Sequence, residues 1–211
     1  MQAEPPRDCP LCPRLAEFRA ANGAAFPLWF NAPVPGFGPR DARLLVVGLA
    51  PGLRGANRTG RPFTGDFAGK LLYGTLLKFG LARGSYAERA DDGLELRDCR
   101  IVNAVRCVPP ANRPLPAEIS ACNRFLKDEI AAMTRLRGIL ALGGVAHQAT
   151  LRAFGLKASH ARFGHGATIE LPGGITLVDS FHVSRLNTNT GRLTAAMFES
   201  VVGGLLARIG G

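Results

Sequence analysis

The alternation of short apolar runs with amphipathic segments is the feature that most constrains the fold of this chain. Four runs rich in apolar residues have the length of buried strands, and they cover residues 43–48, 100–106, 138–142 and 175–180. Apolar residues at helical spacing predict helices over residues 14–21, 69–79, 116–134, 145–154 and 193–209. Strands that alternate with helices in this way are typical of a parallel sheet covered on both faces. We therefore expect an α/β fold.

Two further expectations follow from this pattern. Residues 168–171 are predicted to pair with the last strand as a hairpin across Pro172, Gly173 and Gly174. The length of 211 residues suits one compact domain over residues 1–211. In parallel sheets ligands bind at the carboxyl ends of the strands. Functional residues are therefore sought directly after each strand.

The charge of the chain favours a polyanionic partner. Lys and Arg total 26 against 16 for Asp and Glu, which gives a formal net charge of +10. Basic residues are spread along the chain rather than gathered in a tail, and each phosphate that they neutralise releases counterions. Solubility alone, or a genome that favours Arg codons, is the alternative explanation. The charge pattern favours nucleic acid over these alternatives.

Membrane insertion and secretion are not expected. The longest apolar stretch, residues 139–146, is interrupted by Gly143 and Gly144 and is too short to span a bilayer. The first ten residues carry acids and prolines where a signal peptide requires basic and then apolar residues. We therefore expect a cytoplasmic protein with no membrane partner, whose five cysteines are not disulfide-bonded.

Four of the cysteines have the distribution of metal ligands. Cys9 and Cys12 form a CxxC motif, Cys107 follows the second predicted strand, and Cys122 lies on the next predicted helix. Four thiolates suit either tetrahedral zinc or a [4Fe–4S] cluster, and the spacing does not choose between them. The alternative is that the later cysteines are small buried residues. For Cys99, which stands alone, we favour that alternative.

A glycine-rich loop follows the first predicted strand, over residues 48–66. Its glycines allow backbone amides to approach a ligand closely, yet it lacks the Lys-Ser/Thr ending of a nucleotide-binding P-loop. Phe63 is an aromatic residue in a polar loop, where it could stack on a base or anchor the loop in the core. Asp66 is the loop's one acidic residue and is alternatively the N-cap of the helix that follows.

A second polar segment follows the last predicted strand, over residues 181–194. His182 lies just beyond the strand end, and Ser184, Asn187, Thr188 and Asn189 precede a helix. Hydroxyl groups and helix N-termini bind phosphates without reading sequence. Each residue alone could be ordinary loop chemistry, but their combination indicates a site. We assign no role to His147, His160 or His165.

Together these segments resemble the uracil-DNA glycosylase superfamily, and in particular its family 5, the type b enzymes. The similarity covers almost the whole chain. Its motifs are GLAPG with GANRTGRPFTGD (residues 48–52 and 55–66), NAVRCVPPANRP (residues 103–114) with Cys122, and FHVSRLNTNTGRL (residues 181–193). The resemblance implies an α/β/α sandwich with a central four-stranded, mostly parallel sheet. It also implies a structural [4Fe–4S] cluster on Cys9, Cys12, Cys107 and Cys122.

The resemblance further implies an enzyme that extrudes uracil from DNA and hydrolyses its N-glycosidic bond in base excision repair. We expect a monomer associated with the nucleoid. Phe63 would stack on the extruded base, Asn103 would bond its Watson–Crick edge, and His182 would donate to a base oxygen as the bond breaks. The residues expected to bind the base are Gly48, Ala50, Gly52, Phe63 and Asn103. Those expected to contact DNA beyond the base are Ser184, Arg185, Asn187, Asn189 and Arg192.

One position departs from the wider superfamily. Several of its other families carry Asn or Asp two residues after the first glycine of the first motif, where this chain has Ala50, as type b enzymes do. The catalytic acid is therefore sought elsewhere, and we expect Asp66, alone or with Asn57, to orient the attacking water. The small Ala50 side chain also predicts a roomier pocket that tolerates other deaminated bases such as hypoxanthine.

Three other functions remain open at this point. A non-catalytic DNA-damage-binding protein on the same scaffold would keep the basic charge, the cysteines and Phe63 but would not need His182 or Asp66. A zinc-stabilised nucleic-acid-binding domain would use the cysteines without a glycosylase fold. A nucleotide-metabolising α/β enzyme would use the glycine-rich loop, although the loop lacks a phosphate-binding lysine.

Overall fold

The computed structural model of the protein describes residues 3–210, so Met1, Gln2 and Gly211 of the expected domain lie outside the described residues. The strands are β1 (Leu44–Gly48), β2 (Ala82–Arg83), β3 (Glu95–Leu96), β4 (Cys99–Asn103), β5 (Gly138–Leu142), β6 (Thr168–Leu171) and β7 (Ile175–Ser180). The α-helices are α1 (Pro13–Ala25), α2 (Ala56–Thr59), α3 (Phe67–Lys78), α4 (Pro116–Ala132), α5 (Gly144–Ala153), α6 (Arg185–Asn189) and α7 (Ala195–Arg208).

The central sheet has the strand order β4-β1-β5-β7-β6. Strands β4, β1, β5 and β7 are parallel, and β6 pairs with β7 in antiparallel orientation. The predicted hairpin is therefore present. The expected four strands form the parallel part of the sheet, and the hairpin adds a fifth strand at its edge. A separate two-stranded ribbon pairs β2 with β3.

Helices cover both faces of the sheet, which confirms the expected three-layer α/β/α architecture. Side chains of α3 and α7, such as Leu72 and Phe198, pack with Val46 of β1 on one face. On the other face, Leu126 of α4 and Ala146 of α5 lie in a second core. Strand residues alternate between these two cores, because successive side chains of a strand point to opposite faces. This explains why the strands are apolar throughout.

The predicted strand over residues 100–106 is wrong at its carboxyl end. Strand β4 ends at Asn103, and the next residues leave the sheet as an irregular segment. Their amides still bond to the first loop, with Ala104 N donating to Gly48 O at 2.9 Å and Val105 N to Leu49 O at 3.0 Å. The segments that follow β1 and β4 are thereby held side by side.

In the described part of the chain, no helix combines the length and the apolar character needed to cross a membrane.

Candidate active site

A pocket opens at the carboxyl ends of β1, β4 and β7, where the sequence predicted the functional site. It encloses about 760 Å³, a volume suited to a small molecule or an extruded base. The glycine-rich loop after β1 forms one wall, and the segment after β7 forms the opposite wall. Of the residues predicted from the sequence, the pocket is lined by Ala50, Gly52, Phe63, Asp66, Asn103, His182, Ser184, Arg185 and Asn187.

Phe63 and His182 both line this pocket and lie close to each other. Their ring centroids lie 6.0 Å apart and their planes are tilted by 32°. Phe63 is 6% exposed and also packs with the core on the α3 side of the sheet, so it both lines the pocket and anchors the loop. Its φ of +53° is unusual for a residue with a bulky side chain. Surrounding contacts must therefore hold this backbone in place.

Two tyrosine hydroxyls hold the backbone at Phe63. Tyr86 Oη donates to the Phe63 carbonyl at 3.0 Å, and Tyr73 Oη donates to the Pro62 carbonyl at 2.5 Å. The loop that carries Tyr86 is fixed in turn by a bidentate pair between Arg61 and Asp92, with both N···O distances 2.8 Å. The sequence gives no signal for this support, because nothing in the local pattern connects residues 86 and 92 with Phe63.

Asn103 presents an unpaired amide oxygen at the base of the pocket. The residue ends β4 and is 3% exposed, and its Oδ1 has no hydrogen-bond partner among the described residues. An unsatisfied buried acceptor is unfavourable by about 1–3 kcal/mol, so a ligand donor at this point would be stabilising. Gly48 leaves room for the side chains of Asn103 and Phe63, because a Cβ there would lie 2.3 Å from Asn103 Oδ1 and 2.5 Å from Phe63 Cζ.

Asp66 caps α3 and also lines the pocket. Its Oδ1 accepts from Ala68 N at 3.1 Å and so caps α3. Its Oδ2 points toward the glycine-rich loop, where a Cβ on Gly55 would lie 2.4 Å away and one on Gly52 3.1 Å away. Burial raises the pKa of Asp66, although the hydrogen bonds from Ala68 and Gly69 act in the opposite direction. The cap thus fixes a carboxylate in the pocket wall.

His182 is a neutral imidazole at physiological pH. Burial lowers its pKa to about 4, because the charged form loses its hydration in the pocket. Its carbonyl accepts from Asn187 Nδ2 at 2.8 Å, and Ser184 Oγ caps α6 by accepting from Asn187 N at 3.4 Å. These two bonds fix the strand-to-helix turn that aims the imidazole into the pocket.

The rim beside His182 carries an exposed apolar side chain that the sequence analysis did not single out. Leu186 lines the pocket mouth and is 72% exposed. Its neighbour Arg185 is also exposed, with its guanidinium 5.3 Å from the centre of the Phe67 ring. In the sequence, this exposed leucine could have been recognised as the apolar residue within the polar run of residues 184–190.

Four predicted site residues do not line the pocket, and the first of them, Gly48, lies against the side chains of Asn103 and Phe63 instead. Asn57 is 1% exposed and turned inward, where its Nδ2 donates to Asn31 Oδ1 at 3.0 Å. Asn189, at the end of α6, is exposed outside the pocket. The Arg192 guanidinium lies 4.5 Å from the Phe181 ring centre instead. Asn57 therefore supports the loop from behind, since its side chain is directed away from the cavity.

The four cysteines predicted as ligands do come together. Cys9, Cys12, Cys107 and Cys122 line one small cavity between α1, the segment after β4, and α4. Cys107 Sγ accepts from Arg19 Nη1 at 3.3 Å, and Cys122 Sγ accepts from Arg106 N at 3.3 Å. Burial raises the pKa of Cys107 to about 11 and that of Cys122 to about 12. Cys99 is fully buried in the core and lies apart from this group.

The two candidate metals place different requirements on the cysteine cavity. No three His, Cys, Asp or Glu side chains in residues 3–210 are placed to hold a single metal ion. A zinc ion needs its sulfurs about 2.3 Å from one centre, whereas a [4Fe–4S] cluster bonds four thiolates through separate irons and spaces them farther apart. The N–H···S bonds at Cys107 and Cys122 are of the kind that stabilises cluster sulfurs. Four cysteine sulfurs lining one cavity are compatible with a [4Fe–4S] cluster.

The remaining histidines are placed outside the pocket. His147 is buried, with Nδ1 2.9 Å from Asp179 Oδ1 and Nε2 3.0 Å from the Ala161 carbonyl. His165 Nδ1 accepts from Phe181 N at 3.1 Å, and His160 is exposed. The first two hold the loop before β6 against the end of β7.

The fold and pocket together define an α/β protein whose pocket is bounded by an aromatic ring, an amide, an imidazole and a carboxylate. A family model described as the uracil DNA glycosylase superfamily matches residues 35–205, which is more than half of the chain. The chain therefore belongs to the uracil-DNA glycosylase superfamily.

Characterised relatives agree with the expected subfamily. A type-5 uracil-DNA glycosylase of Thermus thermophilus is 48% identical over 200 residues, covering 92% of this chain and 90% of that protein. A type-5 enzyme of Mycobacterium tuberculosis is 43% identical over 202 residues, covering 92% and 75%. A type-4 enzyme of Thermotoga maritima is 35% identical over 174 residues, covering 81% of each chain. These similarities confirm the resemblance to family 5.

Proposed function

We propose that the protein is a DNA glycosylase that excises uracil from DNA and leaves an abasic site for base excision repair. The observation that carries this proposal is that Phe63, Asn103 and His182 meet in one cavity at the carboxyl edge of the sheet. The names of the type-5 relatives support uracil as the base. We also propose that it acts as a monomer.

Each side chain has a separate part in holding the base. A base inside a duplex must first be extruded, and this is easiest at a mismatch. The ring of Phe63 offers a stacking face worth about 1–3 kcal/mol. The unpaired Oδ1 of Asn103 would accept from an N–H of the Watson–Crick edge, which would remove its unsatisfied state.

Hydrolysis breaks the bond between the sugar C1′ and the base nitrogen. The electron pair leaves with the base and positive charge grows on the sugar. The oxygen of water then bonds to C1′, and its proton passes to solvent or to the departed base anion. Neutral His182 donates one hydrogen bond to a base oxygen and stabilises the departing anion. Asp66 in its ionised form orients the water and stabilises the sugar cation. We assign this task to Asp66 without Asn57, whose side chain faces away from the pocket.

The rim of the pocket supplies the contacts to the rest of the DNA. Ser184, Arg185 and Asn187 lie beside Leu186 on the segment that follows His182. Exposed apolar side chains can be inserted between base steps, and cationic neighbours contact the phosphates. We propose that Leu186 fills the space left by the extruded base. The formal charge of +10 supports retention on chromosomal DNA in the cytoplasm.

We further propose a [4Fe–4S] cluster on Cys9, Cys12, Cys107 and Cys122. When bound, the cluster supplies four covalent links that tie the start of the chain to the segment after β4 and to α4. Arg19 and the Arg106 amide are placed to donate to its thiolates. Broad visible absorbance with iron and sulfide in the purified protein tests this, and a colourless zinc protein would contradict it.

We also propose that the pocket accepts deaminated bases other than uracil. Ala50 lines the pocket where several related families carry a polar side chain, which leaves space for a larger deaminated base such as hypoxanthine. A panel of duplexes with uracil, hypoxanthine or xanthine tests this. Cleavage confined to uracil would contradict it without affecting the main proposal.

The decisive experiment is incubation with a uracil-containing duplex followed by alkaline cleavage at abasic sites. We expect His182→Ala to reduce the single-turnover rate by about 10²–10³-fold, the range for loss of one such donor, while duplex affinity is kept. His160→Ala is the matched control, because His160 is exposed and outside the pocket. Binding of uracil-DNA without any abasic product would favour the non-catalytic damage-binding alternative.

A further inference from the structure

An exposed aromatic turn follows α1, at residues 26–29. The rings of Phe26 and Trp29 are stacked, with centroids 4.0 Å apart and planes 9° from parallel. Trp29 N donates to the Phe26 carbonyl at 3.0 Å, which closes the turn. Leu28 lies at its tip and is 97% exposed, and Phe26 is exposed as well. Packing within the described chain does not account for apolar side chains held in this position.

The aromatic turn is built on the loop that forms the pocket. Asn31 Nδ2 donates to the Phe26 carbonyl at 2.7 Å, and Asn31 Oδ1 accepts from Asn57 Nδ2 at 3.0 Å. The backbone pairs here as well, since Phe30 N donates to Arg58 O and Asn31 N to Asn57 O, each at 3.1 Å. Residues 54–56, directly before Asn57, line the pocket. The turn is therefore joined to the loop that forms one wall of the pocket.

Arginines flank the aromatic turn. The Arg7 guanidinium lies 5.2 Å from the centre of the Phe30 ring and donates to the Phe30 carbonyl at 3.0 Å. Arg54 and Arg58 are exposed on the neighbouring loop. Exposed aromatic rings beside arginines are suited to unpaired nucleotides, because bases stack on the rings while phosphates contact the guanidinium groups. A protein partner would not require this concentration of positive charge.

We propose that the aromatic turn is a second DNA site, which binds unpaired nucleotides of a single strand without reading their sequence. This inference rests on the proposed function, since it assumes that the adjacent pocket receives a nucleotide from DNA. The strand that leaves the pocket would pass over the loop of residues 54–58 to reach Phe26, Leu28 and Trp29. In this arrangement Asn57 positions the turn relative to the pocket.

The chain's one tryptophan lies in this turn, so its fluorescence reports on the site directly. We expect a uracil-free oligothymidylate strand to quench the emission of Trp29 in the unaltered protein. Phe26→Leu and Leu28→Asn, which leave the charge unchanged, should each weaken the affinity at least about fivefold, equivalent to about 1 kcal/mol. Thermal melting checks that the variants are folded.

Two comparisons separate this site from the pocket and from general charge. His182→Ala should leave the quenching unchanged, because the pocket is not needed for it. Arg7→Gln should weaken strand binding more than Lys78→Gln, which removes a similar charge at the far end of α3. The proposal would be overturned if the strand did not quench Trp29, or if Phe26→Leu and Leu28→Asn bound it as tightly as the unaltered protein does. Either result would favour a protein partner for the turn.

Uracil excision from a duplex by the unaltered protein is measured in parallel. Excision without quenching contradicts the second site and leaves the proposed function standing. Quenching without excision contradicts the proposed function and supports strand binding at the aromatic turn. The two failures are thus distinguishable in one series of measurements.

Discussion

The ring of Phe63 and the imidazole of His182 lie 6.0 Å apart in the lining of one pocket, although 118 residues lie between them in the sequence. One follows β1 and the other follows β7, and the parallel sheet brings both strand ends to the same edge. Any role that requires both side chains therefore depends on the sheet. Replacement of either one should affect the chemical step more than the fold.

Phe63→Leu tests stacking without removing the core anchor. Leucine keeps most of the apolar volume but loses the aromatic face, so we expect excision to slow by roughly tenfold while the melting temperature changes little. Single-turnover kinetics and thermal melting measure the two effects. Phe79→Leu, at the end of α3 away from the pocket, is the matched control. An unchanged rate in Phe63→Leu would exclude stacking on this ring.

The pH dependence of excision tests the protonation state of His182. Its pKa is lowered to about 4, so the imidazole is neutral above about pH 5 and can donate only one hydrogen bond. We expect no decline in rate as the pH rises from about 5 to 8. A mechanism that needs the imidazolium would lose about tenfold per pH unit above the pKa. Single-turnover rates of the unaltered protein and of His182→Gln decide between the two.

Asp66→Asn separates the two roles of this carboxylate. Asparagine still caps α3 but has no charge, so we expect normal stability with excision slowed by about 10²-fold or more. Asp66→Ala should lose about 1 kcal/mol of unfolding free energy in addition. Thr194→Ala is the matched control, since Thr194 caps α7 by accepting from Met197 N at 3.2 Å, away from the pocket.

The pH dependence of the excision rate is a second test of whether ionised Asp66 is required. Burial raises its pKa, so its ionised form is lost at a higher pH than for an ordinary Asp as the solution is acidified. The rate of the unaltered protein should therefore fall on the acidic side, and Asp66→Asn should lack this fall. An identical acidic limb in both proteins would show that another group is responsible.

Tyr86→Phe tests whether the strained backbone at Phe63 is held from outside the loop. The change removes the hydrogen bond to the Phe63 carbonyl, so we expect a loss of about 0.5–1.5 kcal/mol in unfolding free energy and a several-fold fall in kcat. A purely structural role would lower stability and leave kcat and KM unaltered. Tyr73→Phe, which removes the bond to Pro62, is the comparison within the same core.

Cys107→Ala tests the proposed cluster independently of activity. We expect loss of visible absorbance and of bound iron, and a lower melting temperature because the start of the chain is no longer tied to the segment after β4. Ala50, a pocket residue, packs against the cysteine group, so excision should weaken as well. Cys99→Ala, in the core, should keep both colour and iron. Equal iron content in the two variants would contradict the ligand assignment.

The sequence by itself determined the layer architecture and the places where the site residues fall. Strands that are apolar throughout require cover on both faces, and the carboxyl ends of parallel strands meet at one edge, so His182, Asn103 and the glycine-rich loop were placed from local pattern and resemblance. The sequence did not determine where β4 ends. Residues 104 and 105 are apolar and continue the strand pattern, whereas in the structure their amides donate to the loop after β1.

Only the tertiary structure decided which of the candidate side chains reach the pocket. Asn57 lies in the glycine-rich loop like Asp66, yet it turns inward to Asn31, and the sequence contains no signal of that direction. The support of Phe63 by Tyr86 and the joining of the aromatic turn to the pocket loop likewise depend on contacts between distant segments. Local periodicity reports which face of an element is buried, whereas the partner of a polar side chain is set by the packing of the whole chain.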